Sequence, residues 1–305
     1  MQYRSLGNTG VKVSAIGFGA LGMGSVFYGK KDRAESLRTI DRALDLGINF
    51  FDTCPSYGDS EEILGLAFKG RRDQVVIATK ISTNGFSTIA ESVEHSLRRL
   101  QTDYLDLLQL RDPTPEKVAR HAVLESLAAL KEQGKIRFGS VTVGDNQQAA
   151  QTRYAIEAGF AAVQLAYNLI FRAAASESLP RAGAAGTGVV VRGSLCKGFL
   201  TGRIQSVPED ARKAGSFSQF TLAEAETLIA IQRDLAFLHL PGKRTLAQAA
   251  VQFALRPGAV STVIPSMDQV AEVEEIAGAL EAPQLTEAEI ARAIEVIENH
   301  PAVEY

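Results

Sequence analysis

The 305-residue chain has no tryptophan and only two cysteines, Cys54 and Cys196. Two thiols cannot build a disulfide framework, and free thiols suit a reducing compartment, so a cytoplasmic protein is expected. The four histidines, His95, His121, His239 and His300, are scattered. No CxxC, no His-x-x-x-His and no His-Glu pair occurs, so no metal site is expected. No apolar run approaches a membrane span, and the opening "MQYRSLGNTGVKVSAIGFGA" lacks the stretch a signal peptide needs. Lys plus Arg number 32 against 35 Asp plus Glu, with no basic run, which argues against nucleic acid or an anionic membrane as the main partner. No low-complexity segment marks a linker, and a single domain over 1–305 is expected.

What remains is an ordinary globular composition, 46% apolar and 22% charged, carrying one repeated unit. Short β-branched-rich runs recur at 14–20, 48–53, 75–80, 104–110, 136–142, 161–167, 188–195 and 261–266. Between them lie helical patterns such as "KDRAESLRTIDRALDLG", "TIAESVEHSLRRLQ", "PEKVARHAVLESLAALKEQG" and "TLAQAAVQFALRPG", often closed by glycine. Strict alternation implies parallel strands joined by right-handed crossovers. Eight such units predict an α/β fold, the (β/α)8 TIM barrel, with an open doubly wound sheet as the competing architecture. Outside the repeat, "YRSLGNTGVKVSAIG" predicts an N-terminal β-hairpin that turns at Asn8-Thr9-Gly10 and plugs the barrel bottom. The polar stretch 203–219 is a candidate lid.

In a barrel of this kind, chemistry sits at the C-terminal ends of the strands. The second run ends on Asp52, with Tyr57 five residues on, and the third ends on Lys80. A carboxylate and an ammonium at neighbouring strand ends are placed to pair. A tyrosine above them would feel the cation, which lowers its pKa from about 10 and makes it a better proton donor. A structural Asp-Lys pair beside an unrelated surface tyrosine is the alternative. The fourth run, "LDLLQL", delivers Arg111 to its mouth, either as a cap paired with Asp112 or as a charge facing a substrate.

"FFDTCPSYGDSEEILG", "VVIATK", "DYLDLLQL", "GKIRFGSV", "VQLAYNLI", "GSLCKGFLTG" and "RTLAQAAVQFAL…VSTVIPS" resemble, in order and spacing, the signature blocks of the aldo-keto reductase superfamily. The likeness spans nearly the whole chain. It implies hydride transfer between NAD or NADP and a small carbonyl or sugar-like substrate. Tyr57 would be the general acid, tuned by Lys80, which Asp52 holds. Gln164 matches the residue that meets the nicotinamide carboxamide. Ser194, Leu195, Lys197 and Gly198 match the loop that wraps the pyrophosphate. The string "GFGALG" (17–22) also satisfies the Rossmann G-x-G-x-x-G, but "MGSVFYGKKD" separates it from any helix, so those glycines are expected to let a loop approach the ligand.

Several positions depart from that pattern. Arg111 stands where the family's histidine completes the tetrad; guanidinium is permanently charged, donates only, cannot relay a proton, and favours a carboxylate or phosphate. Thr142 keeps a hydroxyl near the carboxamide, but Val143 replaces an amide. Arg192 replaces the aromatic that stacks on the nicotinamide, as in some branches of the family. Ser266 replaces a glycine, Ile276 replaces an adenine-contacting Asn, and Asp268 lies near the usual basic position, which favours NAD over NADP or weakens cofactor binding. Two further readings keep the barrel: non-redox elimination, isomerisation or lyase chemistry on Tyr57, Lys80 and Arg111, and a regulatory binding protein.

Overall fold

The structure, a computed structural model, describes residues 1–24, 32–81, 88–111, 121–207 and 219–303. The hairpin forms as the sequence predicts: β1 (Tyr3–Ser5) pairs antiparallel with β2 (Lys12–Ser14), and Gly7 and Gly10 supply the positive φ of its turn. Leu6, Val11 and Val13 enter the barrel and pack on Phe50, Val76, Ala78, Leu107, Ala162 and Val190. The hairpin is therefore a plug, closing one end of the barrel with apolar side chains.

Eight parallel strands follow in chain order: β3 (Phe18–Gly19), β4 (Phe50–Asp52), β5 (Val76–Ile81), β6 (Leu105–Arg111), β7 (Ile136–Thr142), β8 (Ala162–Ala166), β9 (Gly188–Arg192) and β10 (Val260–Val263). Parallel bridges Ile16–Val263 and Gly19–Ser266 close the sheet on itself. The run at 14–20 thus divides, with Ser14 ending the hairpin and Phe18–Gly19 forming the first barrel strand. At this seam Gly19 N donates to Pro265 O at 2.9 Å. A Cβ on Gly19 would stand 2.7 Å from Ile264 O, so this glycine serves barrel closure as well as lining the cavity described below.

Alternation along the strands explains their nearly continuous apolar character. Phe50 and Leu107 face the interior, whereas Phe51 and Leu108 join the larger core between barrel and helices. That outer layer includes α1 (Arg33–Asp45), α2 (Ser60–Ala67), α3 (Ile89–Leu100), α4 (His121–Glu132), α5 (Gln148–Glu157), α6 (Ser178–Ala185), α7 (Leu222–Asp234), α8 (Leu246–Leu255), α9 (Val270–Ala277) and α10 (Glu287–Glu298). Capping boxes at Thr88, Thr221, Thr245 and Thr286 fix the starts of α3, α7, α8 and α10. No described helix is long and apolar enough to cross a membrane.

The two polar side chains that interrupt the 105–110 run have separate duties. Asp106 accepts from Arg72 at 2.7 Å, Arg137 at 2.8 Å and the Ile77 amide at 3.0 Å, tying β6 to its neighbours. Gln109, nearer the strand's C-terminal end, belongs to the site.

Candidate active site

Asp52 ends β4 and is buried, so its carboxylate needs partners. Lys80 Nζ, from β5, donates to Oδ1 at 2.6 Å and to the Thr53 carbonyl at 3.0 Å. Oδ2 accepts from Gln109 Nε2 at 2.6 Å and Gln164 Nε2 at 2.8 Å. Gln164 Nε2 also donates to Gln109 Oε1 at 3.0 Å, and Thr142 Oγ1 approaches that oxygen at 3.4 Å. Side chains from five adjacent strands therefore form one buried polar network. Burial pulls the Lys80 ammonium down, but Asp52 outweighs it and holds the pKa above the usual lysine value.

Tyr57 is delivered by local chemistry. Pro55 presets a turn in which Tyr57 N donates to Cys54 O at 2.9 Å, and Gly58 leaves it with φ +66°. Arg99 grips the Gly58 carbonyl and pairs with Glu61 at 3.2 Å, while Glu61 accepts from Thr79 at 2.8 Å. Burial pushes the Glu61 carboxyl upward. Lys80 Nζ lies 5.3 Å from the Tyr57 ring centroid. The sequence predicts a lowered tyrosine pKa; the structure corrects this. Burial raises it more than Lys80 and Arg111 lower it, so Tyr57 stays a protonated phenol through neutral pH.

Arg111 ends β6 in register with Thr142, and is exposed on the cavity wall. Its Nη1 lies 3.4 Å from Ser56 Oγ, beside Tyr57. Asp112, the proposed capping partner, falls outside the described residues, as does the 208–218 part of the candidate lid.

Every site residue singled out in the sequence lines one cavity of about 730 Å³ at the strand mouths: Asp52, Tyr57, Lys80, Arg111, Thr142, Gln164, Arg192, Ser194, Leu195, Lys197, Gly198 and Ser266. Arg192 pairs with Asp145 at 2.6 Å and reaches the Val143 carbonyl at 3.2 Å. After β9 the backbone is left-handed at Gly193 (φ +67°), Cys196 (+47°), Lys197 (+53°) and Gly198 (+99°). Two such non-glycine residues cost about 1–3 kcal/mol each, and strain of this kind collects at ligand clamps. The loop is pinned by Asn168, whose Nδ2 donates to Gly193 O at 2.9 Å and whose Oδ1 accepts from Ile170 N and Phe171 N. Burial pushes the Cys196 thiol up to about 12, leaving it unreactive. Burial also draws the Lys197 ammonium down to about 8, with Arg192 adding to the effect against Cys196 and Asp145.

Another part of the cavity wall is acidic. Asp268, Glu272 and Glu275 line it, and Arg203 pairs with Glu272 at 3.0 Å and with Glu275. Asp268 N donates to Glu272 at 2.7 Å. Sequence reasoning missed Gln109, Asp145, Arg203, Glu272 and Glu275 as site residues. Only Gln109 carried a signal, as a polar side chain inside an apolar strand. Among the described residues, no cluster of three or more metal-ligating side chains occurs.

A sequence model of the Aldo/keto reductase family matches residues 15–298. The chain belongs to the aldo/keto reductase family. Among this family's curated members it is 38% identical to the aldo-keto reductase YhdN of Bacillus subtilis, over 67% of this chain and 65% of that protein. It is 33% identical to the L-galactose dehydrogenase of Arabidopsis thaliana, over 90% of this chain and 86% of that one. The holo form of the aldo-keto reductase AKR11C1 from Bacillus halodurans superposes with a TM-score of 0.80 at 28% identity, covering 100% of this chain and 98% of the other. Membership makes this family chain an oxidoreductase of (β/α)8 architecture, and nothing in the site or these relatives favours the non-redox alternative.

Proposed function

We propose that this chain is a cytoplasmic oxidoreductase, one (β/α)8 domain, that moves hydride between a nicotinamide cofactor and a small carbonyl or sugar-like substrate, with NAD(H) preferred over NADP(H). The observation that carries the reading is Tyr57 standing over the buried Lys80–Asp52 pair, the ammonium 5.3 Å from its ring. A phenol kept protonated beside a fixed cation can release its proton only when an acceptor develops charge, which is what a carbonyl oxygen does during reduction. Lys80 then stabilises the phenolate, and Asp52 keeps the buried lysine charged. Arg111 donates to the same region without accepting a proton.

The residues present fit a dinucleotide. Ser194 Oγ is buried with no hydrogen-bond partner among the described residues, next to a left-handed loop that exposes backbone to the cavity. Ser194, Leu195, Lys197 and Gly198 would hold the pyrophosphate. Both N–H groups of Gln164 are spent on Asp52 and Gln109, so it offers the cavity a carbonyl oxygen, an acceptor for a carboxamide N–H. Thr142 and Arg192 complete that end, and Ser266 lies toward the adenosine end. When bound, the nicotinamide supplies the hydride. The carboxylates of Asp268, Glu272 and Glu275, with Arg203 already engaged by the last two, would repel a 2′-phosphate, which supports NAD(H). Titration with NADH and NADPH, followed by cofactor fluorescence, tests the reading. Saturable binding with NADH the tighter ligand supports it, and no saturable binding of either rules it out.

A further inference from the structure

We infer that Arg111 recognises a carboxylate on the carbon next to the reacting carbonyl, which makes small 2-oxo acids and their 2-hydroxy acid counterparts the substrate class of this pocket. This rests on the hydride-transfer reading above. Of the pocket's other cations, Lys80 is matched by Asp52 at 2.6 Å, Arg192 by Asp145 at 2.6 Å, and Arg203 by Glu272 at 3.0 Å together with Glu275, while Lys197 belongs to the loop assigned to the pyrophosphate. Arg111 has no carboxylate partner among the described residues, and its one hydrogen bond there is the 3.4 Å contact with Ser56. It is exposed, on the cavity wall, and beside the proton donor.

A guanidinium that loses water when a substrate enters needs a counter-charge, and a planar carboxylate matches its fork. A neutral sugar hydroxyl would leave that charge uncompensated. Arg111 lines the same cavity as Tyr57, with one guanidinium nitrogen 3.4 Å from the neighbouring Ser56 hydroxyl, and we place the anion on the carbon bonded to the carbonyl rather than at the far end of a sugar phosphate. In reduction the carbonyl carbon gains the hydride pair from the reduced nicotinamide, the C=O π pair moves onto oxygen, and that oxygen takes the Tyr57 proton. The oxo acid is reduced to a hydroxy acid, NADH is oxidised to NAD+, solvent reprotonates Tyr57, and the carboxylate is unchanged.

The test compares glyoxylate with glycolaldehyde and pyruvate with hydroxyacetone, in wild type, Arg111→Gln and Arg111→Lys. Calorimetric binding of oxamate against neutral oxamide gives a readout independent of turnover. Wild type should prefer the acid in each pair and bind oxamate. Arg111→Gln should cut that acid-over-neutral selectivity by about 10- to 100-fold and weaken oxamate binding to match, with Arg111→Lys between them. Equal selectivity and equal oxamate affinity in wild type and Arg111→Gln overturn the anion site while leaving hydride transfer intact. Arg111-dependent oxamate binding without reduction of any of these carbonyls overturns hydride transfer for them and leaves the anion site standing.

Discussion

A Cβ on Gly24 would overlap the carbonyl oxygen of Tyr57, and Gly24 is buried. No side chain fits there unless the Tyr57 turn moves. Gly24→Ala should therefore lower kcat by roughly 10- to 100-fold, the scale of an ångström-level misplacement, while NADH binding persists. Parallel measurement of kcat and NADH affinity separates this from general unfolding, which would abolish both.

Lys80→Met should act on both stability and pH dependence. It leaves Asp52 buried without its cation, a loss of about 3–5 kcal/mol in chemical denaturation. It also removes the charge that lowers the Tyr57 pKa. Alcohol oxidation needs the phenolate and rises as pH climbs through the Tyr57 pKa, so the rising limb should shift to higher pH in the variant. An unshifted limb would separate Lys80 from the titration of Tyr57.

Lys197 ties cofactor affinity to pH. Its ammonium is drawn down to about 8, so it is charged below that pH and loses charge above it. NADH affinity should be full below pH 8 and fall by roughly 10-fold as pH rises past it, the worth of one charge-assisted contact. Arg stays charged throughout, so Lys197→Arg should flatten that limb in a fluorescence titration.

The acidic bank predicts a cofactor switch. Asp268→Asn should narrow the NADH-over-NADPH affinity ratio, and Asp268→Arg should narrow it further, by about 10-fold or more, because it replaces repulsion with a phosphate contact. Unchanged ratios in both variants would place the 2′-phosphate elsewhere.

The barrel was legible because its information is local and periodic. Each buried strand is an apolar run, each helix carries a 3.6-residue pattern, and the hairpin has its turn glycines. Asp52 and Lys80 were legible because they stand at strand ends, where polar side chains have one face to point to, and Gln164, inside β8, was legible through the family resemblance. Burial was not legible, and it reversed the expected shift of Tyr57, since its desolvation depends on segments distant in sequence. The engagement of Arg203 by Glu272 and Glu275 joins positions about 70 residues apart. Gly24 reads as a loop glycine until the chain brings it onto Tyr57.

Transfer of hydride with Tyr57 as proton donor is tested most directly by a single-turnover experiment: NADH-loaded enzyme, wild type or Tyr57→Phe, mixed with pyruvate while the nicotinamide absorbance is followed. The predicted result is a wild-type burst of NADH oxidation that forms lactate stoichiometrically. Tyr57→Phe should bind NADH equally well but oxidise it about 10²- to 10⁴-fold more slowly, the range for loss of a positioned general acid. An equal burst in the two proteins would contradict the account.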